Sequence, residues 1–356
     1  MKRIAILFSI IFFVTYLHAQ IDSKATRETK ILFQYLKASS GKKIHFGHHF
    51  TTRVGIDFFD KTQCGGQSDV LSSVGDFPAV FSFDFNAGFA SQLDAVKKAY
   101  QMGAIITFSY HAPNPVSKDG YISKQCNEVA QVLPNGALHK DLLNTLDSIA
   151  WFAKSAKYNN KQIPIILRPW HEHTGRWFWW GSESSTPDEF IQLWKFTIEY
   201  LRDKKQVHNF LYAYSPSHPS EYGGYETRNP GPDYFDIAGF DCYGKENFKD
   251  RLLINCELTV KYAEKHDKIP ALTEFGYLKG LQNSKENNWY MTEFFEPLLS
   301  SPYAKKMVYA VTWRNDKNVY WVPLKQSPYY PAFKQFYEHP YTAFLSETKY
   351  KQYKTK

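Results

Sequence analysis

A repeated alternation of short apolar segments and longer amphipathic segments runs through most of the 356-residue chain. The apolar segments have the length of buried strands and are bounded by turn-forming residues, whereas the amphipathic segments have helical periodicity. Eight strands that alternate with helices in one domain predict a parallel sheet closed into a (β/α)8 TIM barrel. The predicted strands are Ile44–His49, Pro78–Phe85, Ala104–His111, Ile163–Trp170, Asn209–Ser215, Tyr234–Asp241, Ile269–Glu274 and Met307–Trp313.

Most connections between the predicted strands read as helices. The predicted helices are Ala90–Met102, His139–Tyr158, Pro187–Asp203, Phe248–His266, Glu286–Leu299 and a last one near Pro331–Phe344. Two connections, Asp57–Ser73 and the stretch after Pro219, are rich in Gly and poorly periodic, so they predict loops or short helices. No repeat, linker or shift in composition marks a second domain, and residues 20–356 are therefore predicted to form one domain.

Polar side chains collect where the predicted strands end. Such residues follow or close six of the eight strands: His49, Asp84, His111, Glu172, Glu274 and Arg314. A TIM barrel builds its active site from the carboxyl-terminal ends of its strands. This distribution therefore predicts an active site at that end of the barrel.

The stretch IPIILRPWHEHTGRWFWWG, residues 163–181, joins a buried strand to a polar and aromatic end. Its apolar run leads directly to Arg168, His171 and Glu172, and four aromatic residues follow at positions 177–180. A carboxylate beside a tryptophan-rich loop suits a flat ligand with apolar faces, such as a sugar ring. A hydrophobic plug explains the pattern less well, because burying the aromatics beside polar His and Glu groups is costly unless those groups have a use.

Glu172 and Glu274 are the two carboxylic acids that the predicted barrel places at the ends of its fourth and seventh strands. Glycoside hydrolysis needs two carboxyl groups that face one bond, and a separation of about 5–5.5 Å gives retention of configuration. An apolar environment raises the pKa of a carboxyl group, and aromatic residues lie near Glu172 in the sequence. Glu172 is therefore predicted to be the acid/base. Glu274, within reach of Tyr243 and Arg314, is predicted to be the nucleophile.

Histidines and tryptophans complete the predicted site. His111 and His171 are predicted to contact a glycan or to orient a carboxylate, and Trp177 and Trp313 are predicted to stack on sugar rings. The pairs His48–His49 and His171–His173 would suit a metal, but the fifth and sixth strands end without a histidine, so no metal site and no cofactor are predicted. Two other carboxylates suit hydrogen bonding within the barrel rather than catalysis: Asp84 and Asp241.

The first residues, MKRIAILFSIIFFVTYLHAQ, have the pattern of a secretory signal peptide. Lys2 and Arg3 form its basic region, an apolar run follows, and Ala19 is a suitable last residue before cleavage. The apolar run is short for a transmembrane anchor. Removal of residues 1–19 is predicted to leave a protein that is periplasmic or secreted and has no membrane insertion.

Charge and cysteine content narrow the classes of partner. The formal net charge of +8 falls by two without the signal peptide, and the excess is spread along the chain, so no nucleic-acid partner is predicted. The protein is expected to be a monomer.

The cysteines lack the spacing of a zinc site. Cys64 and Cys126 fall in predicted loops on one face and are the favoured disulfide pair, and free thiols are an equal alternative.

These motifs resemble glycoside hydrolase family 26. The resemblance rests on RPWHEHTGRWFWWG with GHH on the first strand, SYHAPNP on the third, GFDCY on the sixth, LTEFG on the seventh and TWRN on the eighth. It runs from about Lys42 to about Asn315 in the right order. The family consists mostly of β-mannanases, and some members act on β-1,3-xylan or mixed-linkage β-glucan.

The resemblance implies a retaining double displacement in which Glu172 matches the acid/base and Glu274 the nucleophile. Further residues match positions around the attacked sugar: His111, His171, Trp177, Tyr243 and Trp313, with Arg314 following the last of them as in the family. The third strand departs from the pattern, since SYH stands where many members have a Trp before the His. The block WFWWG favours mannan over the minority substrates.

The sequence therefore predicts that residues 20–356 are the catalytic domain of a retaining endo-acting β-1,4-mannanase for mannan, galactomannan or glucomannan. Three alternatives stay open: mannobiose release from chain ends, cleavage of β-1,3-xylan or mixed-linkage β-glucan, and glycan binding without catalysis on a barrel scaffold. The segments Gln63–Gly66 and Pro219–Asp233 could block the cleft and favour chain-end action. The presence of both carboxylates argues against a non-catalytic binder.

Overall fold

Eight short parallel strands form the centre of the molecule. The computed structural model describes residues 20–123 and 125–348; the predicted signal peptide and the tail from residue 349 lie outside this part of the chain. All residues of these strands except Tyr243 are buried, as expected for a parallel sheet covered on both faces. The strands are β1 Ile44–His49, β2 Val80–Asp84, β3 Ile105–Ser109, β4 Ile165–Arg168, β5 Phe210–Tyr214, β6 Ile237–Gly244, β7 Ile269–Tyr277 and β8 Tyr309–Thr312.

The sheet closes on itself. Each strand pairs in parallel with its neighbours in sequence, and β1 pairs with both β2 and β8. The predicted (β/α)8 barrel is confirmed, and β1 matches its prediction at both ends. The sixth strand was predicted to begin too early, because Pro232–Tyr234 forms a 3-10 turn, and both β6 and β7 continue past their predicted ends.

A one-residue bulge interrupts β7 near its carboxyl end. Towards β6, Phe240 pairs with Leu272 while the next residue, Asp241, pairs with Glu274, so Thr273 is the extra residue. The register towards β8 shifts over the same stretch. The Thr273 hydroxyl lies 2.9 Å from the carbonyl oxygen of Phe240 and 2.8 Å from Asp241 Oδ1, and these two acceptors share its single proton. A bulge re-aims the side chains that follow it, and here it sets Glu274 directly beside Asp241.

Helices and short turns surround the barrel. The α-helices are α1 Arg27–Ser39, α2 Asp69–Val74, α3 Leu93–Met102, α4 Glu128–Val132, α5 His139–Ser155, α6 Pro187–Glu199, α7 Phe248–Lys265, α8 Glu296–Ser300 and α9 Tyr330–Glu338. Three predicted starts, at His139, Pro187 and Phe248, are confirmed. Thr186 and Glu189 fix the start of α6 by a capping box. Within the described residues, none of the helices has the length and apolar character that crossing a membrane requires.

Some helices depart from the predictions. The segment predicted as Glu286–Leu299 begins later, as a π-helical stretch Tyr290–Phe295 that leads into α8. The last predicted helix ends at Glu338, and Thr342–Ala343 then pairs with β1 as a short extra strand. Helix α1 was not predicted, because helices were predicted from their alternation with strands and α1 precedes the first strand.

The residues before α1 are bound to the barrel. The Ile21 amide donates to Asp236 Oδ1 at 2.8 Å, and Asp22 Oδ2 accepts from His208 Nδ1 at 2.8 Å. Asp236 directly precedes β6 and His208 precedes β5, so both partners lie where strands begin. The described chain therefore starts against the end of the barrel opposite to the polar strand ends.

Candidate active site

A buried arginine joins two carboxylates at the carboxyl end of the barrel. Arg168, the last residue of β4, donates from Nη1 to Asp241 Oδ2 at 2.5 Å and from Nη2 to Glu274 Oε2 at 2.6 Å. Only 4% of its side chain is exposed. Burial alone would lower the pKa of Arg168, but the charges of Asp241 and Glu274 outweigh burial and raise it. The planar guanidinium thus fixes the two carboxylates relative to each other.

Asp241 is held on its other oxygen as well. Its Oδ1 accepts hydrogen bonds from the hydroxyls of Ser215 at 2.7 Å and Thr273 at 2.8 Å. Sequence analysis did not connect Arg168 with Asp241, which it left as a hydrogen-bonding group within the barrel. Charge balance could have indicated this contact from the sequence, because an arginine at the end of a fully buried strand requires buried acceptors.

Glu274 is held by two donors, one on each carboxylate oxygen. In addition to Arg168, the Tyr243 hydroxyl donates to Oε1 at 2.7 Å. Burial, together with the charge of Glu274, raises the pKa of Tyr243, so this phenol keeps its proton and remains a donor. The expected contact with Arg314 is not formed, because that guanidinium lies 3.5 Å from Asp316 at the rim of the cleft. The carboxylate of Glu274 therefore has a fixed orientation.

Glu172 faces the same cleft in a different environment. Trp177 donates from Nε1 to Glu172 Oε2 at 2.8 Å. Burial, followed by the negative charges of Asp241 and Glu274, raises the pKa of Glu172 well above its ordinary value. The opposing effects of Arg168 and Trp177 are smaller. Glu172 is thus suited to hold a proton near neutral pH.

The turn that presents Glu172 is strained. Trp170 and Glu172 have φ values of 49° and 53°, in the left-handed region that non-glycine residues rarely occupy. The Glu172 amide donates to the Ser215 carbonyl at 2.7 Å, and its carbonyl accepts from the Gly175 amide at 2.9 Å. Such backbone strain persists where surrounding contacts determine the conformation, and it clusters at functional sites.

His111 and Asp84 form a second polar pair in the cleft. The His111 Nδ1 lies 2.6 Å from Asp84 Oδ2, and Ser109 donates to the same oxygen at 2.8 Å. Burial opposes ionisation of Asp84, but His111 outweighs it and lowers the pKa of this carboxyl. His171 contacts the His111 ring edge-on at 4.6 Å, and burial lowers the pKa of His171 well below its ordinary value. His171 is therefore a neutral ring.

Trp313 forms a platform on the wall of the cleft. Its ring stacks on His49 with centroids 4.2 Å apart and planes inclined by 6°. The Trp313 ring also meets the edge of His111 at 5.7 Å. A cavity of about 290 Å³ opens beside these three rings and Arg314. Sequence analysis placed His49 at a strand end and considered it only as a metal ligand, since stacking between distant residues leaves no local pattern.

The aromatic block after β4 divides into two parts. Trp177 is partly exposed and reaches Glu172, as described above, whereas Phe178, Trp179 and Trp180 are buried. Trp179 donates to the Ala112 carbonyl at 3.0 Å and Trp180 to the His171 carbonyl at 2.7 Å. Only the first member of the block is therefore placed to meet a ligand, and the others support the loop.

The histidines considered as metal ligands contact other side chains, and the favoured disulfide is not formed. His48 Nδ1 lies 3.1 Å from the Thr51 hydroxyl, and the His173 ring stacks on Phe190 at 4.0 Å. Within residues 20–123 and 125–348, no three His, Cys, Asp or Glu side chains converge as metal ligands would. Cys64 and Cys126 are free thiols, so the favoured pairing was wrong for this structure and the alternative of free thiols holds.

The sequences and structures of known proteins match this chain over most of its described length. The sequence model of glycosyl hydrolase family 26 matches residues 21–295. A mannan endo-1,4-beta-mannosidase of Bifidobacterium adolescentis is 32% identical over 325 residues, which are 83% of this chain and 32% of that protein. A Bacillus subtilis (strain 168) protein of the same name is 24% identical and covers 69% of each chain. The chain thus spans about a third of the Bifidobacterium relative.

Solved structures agree with the sequence matches. An endo-beta-1,4-mannanase from Cellulomonas fimi superposes with a TM-score of 0.86 at 32% identity, covering 93% of this chain and 78% of that one. A family 26 beta-mannanase from Bacteroides ovatus gives a TM-score of 0.82 at 32% identity, covering 91% and 96%. The chain belongs to glycosyl hydrolase family 26.

Proposed function

We propose that this protein is a retaining glycoside hydrolase that cleaves β-1,4-mannosidic bonds within mannan, galactomannan or glucomannan. The observation that carries the proposal is the contrast between two carboxyl groups in one cleft. Glu172 has a strongly raised pKa, whereas Glu274 is held by Arg168 and Tyr243. The names of the relatives in Bifidobacterium and Bacillus support mannan as the substrate.

In the first step, Glu172 donates its proton to the glycosidic oxygen while a Glu274 oxygen attacks the anomeric carbon. The bond from that carbon to the leaving oxygen breaks, and a covalent glycosyl–Glu274 intermediate forms. Arg168 and Tyr243 hold the attacking carboxylate in place. Trp177 binds Oε2 of Glu172, so Oε1 is the oxygen that carries the proton towards the leaving group.

In the second step, Glu172, now a carboxylate, removes a proton from water, whose oxygen attacks the same carbon from the face that the leaving group left. The bond to Glu274 breaks, and the sugar leaves with retained configuration. The charge of Glu274 is neutralised in the intermediate, which lowers the pKa of Glu172 at the time when it must act as a base. The two groups therefore exchange roles through their mutual repulsion.

The other predicted site residues bind the attacked sugar and its neighbour. Trp313 offers its ring to the apolar face of a sugar, and His111 and Tyr243 present polar atoms beside it. His171 contacts the His111 ring edge-on, and Arg314 lines the 290 Å³ cavity. Trp177 contacts Glu172 and thereby lies next to the bond that is cleaved.

Endo action is favoured because two separate cavities are lined by loops that carry site residues. One cavity lies beside Trp313, and a second of about 480 Å³ is lined by Thr174 and Arg176 of the loop that carries Glu172. The segment Pro219–Asp233 contributes to the wall of the second cavity through Tyr222, Thr227 and Arg228. Release of mannobiose from chain ends is the second candidate function.

The proposal also includes export of the protein through a cleaved signal peptide.

Product analysis on linear mannan and galactomannan tests the proposal. A spread of oligosaccharides with a rapid fall in viscosity is expected, and mannobiose alone from the first time point would favour chain-end action. Glu274→Ala should abolish activity, and Glu172→Gln should reduce it by about 10²–10⁴-fold on polysaccharide. Absence of activity in the wild type, on both polysaccharides, would contradict the proposal and direct the search to β-1,3-xylan and mixed-linkage glucan.

A further inference from the structure

A buried carboxylate outside the cleft joins the two loops that follow β3 and β4. Glu128 begins α4, and its exposed fraction is 0%. Its Oε1 accepts from Asn114 Nδ2 at 2.6 Å, and its Oε2 accepts from the Ser184 hydroxyl at 3.0 Å. Both of these partners are fully buried as well. Burying a carboxylate is costly unless hydrogen bonds compensate it, so this bridge between the loops is a specific feature of the fold.

Asn114 shapes the loop after β3. It lies in the SYHAPNP segment, of which only His111 entered the proposed chemistry. The side-chain oxygen of Asn114 accepts from the Val116 amide at 2.9 Å, and Nδ2 also donates to the Ile122 carbonyl at 3.0 Å. The Asn114 side chain therefore closes this loop on itself while it binds Glu128.

Ser184 carries the bridge into the loop after β4. Because its hydroxyl donates to Glu128, its oxygen accepts from the Ser123 hydroxyl, which lies 2.5 Å away. The Ser123 amide in turn donates to the Trp177 carbonyl at 2.7 Å. One series of hydrogen bonds thus runs from Glu128 to the backbone of Trp177.

The two loops pair like a short piece of antiparallel sheet. Ile122 forms a bridge with Phe178, and the Trp179 amide donates to the Tyr121 carbonyl at 3.2 Å. The bond to the Trp177 carbonyl belongs to the same pairing. The backbone that carries the Trp177 indole is therefore fixed by the neighbouring loop.

Trp177 needs this support because its contact with Glu172 is directional. Its indole N–H donates to Glu172 Oε2 at 2.8 Å, and its side chain is partly exposed. Gly175 of the same loop makes room for the ring, since a Cβ added there would lie 2.3 Å from Trp177 Cη2. A hydrogen bond weakens steeply as its angle departs from the optimum. A shift of the loop would therefore weaken the bond to Glu172.

We propose that Glu128 is a positioning residue: through the bridge between the two loops, it holds Trp177 at its hydrogen bond to Glu172. This inference rests on the proposed glycoside hydrolase function. Glu128 takes no part in the bonds that form and break, and its effect on the acid/base passes through Trp177.

Other groups also act on Glu172, and we expect them to keep their positions when Glu128 is changed. They are Arg168 of β4, Asp241 and Tyr243 of β6, Glu274 of β7, and Tyr222 of the connection between β5 and β6. Loss of the indole bond removes an effect that lowers the pKa of Glu172. Glu172 then stays protonated to higher pH.

The pH dependence of kcat/KM on mannan tests the proposal. Glu128→Ala should move the alkaline limb upward by up to about one pH unit, the size expected for losing one hydrogen bond to a charged group. In a Trp177→Phe background, the same change at Glu128 should move the limb no further. A merely structural role would lower kcat/KM equally at all pH values in both backgrounds, and that result would overturn the assignment.

A second variant covers the case in which Glu128→Ala does not fold. Ser184→Ala removes one bond to Glu128 but keeps the carboxylate, and it should move the limb in the same direction by a smaller amount. The matched control is Asp236→Ala, which removes another fully buried carboxylate at the opposite end of the barrel. This control should lower Tm and leave the limb unchanged. An equal movement of the limb in the control would contradict the proposal.

A measurement without substrate separates this inference from the proposed function. Among the indole N–H signals of the nine tryptophans in an NMR spectrum, the one missing in Trp177→Phe belongs to Trp177. Its chemical shift should follow the ionisation of Glu172, at higher pH in Glu128→Ala than in the wild type. Identical titrations would overturn the role of Glu128, whereas a wild type that does not cleave mannan would contradict the proposed function alone.

Discussion

Glu172 and Glu274 are the same residue type, and their different contacts suit them to opposite tasks in the proposed reaction. Glu274 accepts bonds from a guanidinium and a phenol, whereas Glu172 accepts one bond, from an indole, and feels two nearby negative charges. An apolar surrounding alone would not distinguish them. The charge of Glu274 is itself one cause of the raised pKa of Glu172.

Replacing Trp177 tests this tuning. The indole N–H lowers the pKa of Glu172 against the larger effect of burial, so Trp177→Phe should raise that pKa further. Glu172 then stays protonated to higher pH, and the alkaline limb of the kcat/KM profile on mannan should move upward in pH. Trp151→Phe, at an exposed position on α5, is the control and should leave the profile unchanged. A downward shift would contradict the assignment of Glu172 as the acid.

Removing Arg168 should cost both stability and activity. Arg168→Met leaves Asp241 and Glu274 buried without their cation, a change that costs about 3–5 kcal/mol in comparable buried pairs. The unpaired carboxyls then have folded-state pKa values above their unfolded values, so the cost is largest at high pH and shrinks as pH falls through those values. Urea unfolding at several pH values measures this, and adding Asp241→Asn should recover part of the loss.

At the scale of the element, β7 shows what the sequence predicts and what it does not. The apolar run predicts the strand and its polar end, and the alternation with helices predicts its place in a barrel. The bulge at Thr273 leaves no signal, because its position depends on the register of two partner strands that are distant in sequence. The left-handed turn at Trp170 and Glu172 is hidden for a similar reason, since neither residue type favours it.

The Thr273 hydroxyl should be important for the bulge. Thr273→Val keeps the shape of the side chain but removes the bonds to the Phe240 carbonyl and to Asp241. We expect a loss of about 1–3 kcal/mol in the free energy of unfolding, together with reduced kcat. Thr107→Val, at a buried position in β3 away from the bulge, is the matched control. Equal losses in both variants would show that the bulge has no special need for this hydroxyl.

At the scale of the whole molecule, the barrel and the polar character of its strand ends were predictable because both follow from patterns along the chain. All eight predicted strands are present, although the sixth begins later than predicted, and Glu172 and Trp177 follow the carboxyl end of β4. The unpredicted features are contacts between distant segments, such as Arg168 with Asp241 and His49 with Trp313. Helix α1 was missed because no barrel strand precedes it, although Thr26 caps it in the ordinary way.

The segment before α1 should stabilise the barrel without affecting catalysis. Ile21 and Asp22 bind Asp236 and His208 at the amino-terminal ends of β5 and β6. A protein that begins at residue 24 should have a lower Tm than one that begins at residue 20, with unchanged kcat/KM on mannan. Calorimetry and initial rates at 25 °C measure the two quantities. A change in kcat/KM at that temperature would mean that this segment reaches the cleft at the opposite end.

The bulge in β7 also makes chain length, and not only residue identity, a condition of the proposed chemistry. Side chains alternate between the two faces of a strand, so one residue inserted or deleted between Leu272 and Glu274 would turn the carboxylate from the cleft towards the helices. Point substitutions at Thr273 keep this count. A change of length there should therefore reduce activity more than any substitution of Thr273. We expect variation by insertion and deletion to be confined to the loops beyond the strand ends.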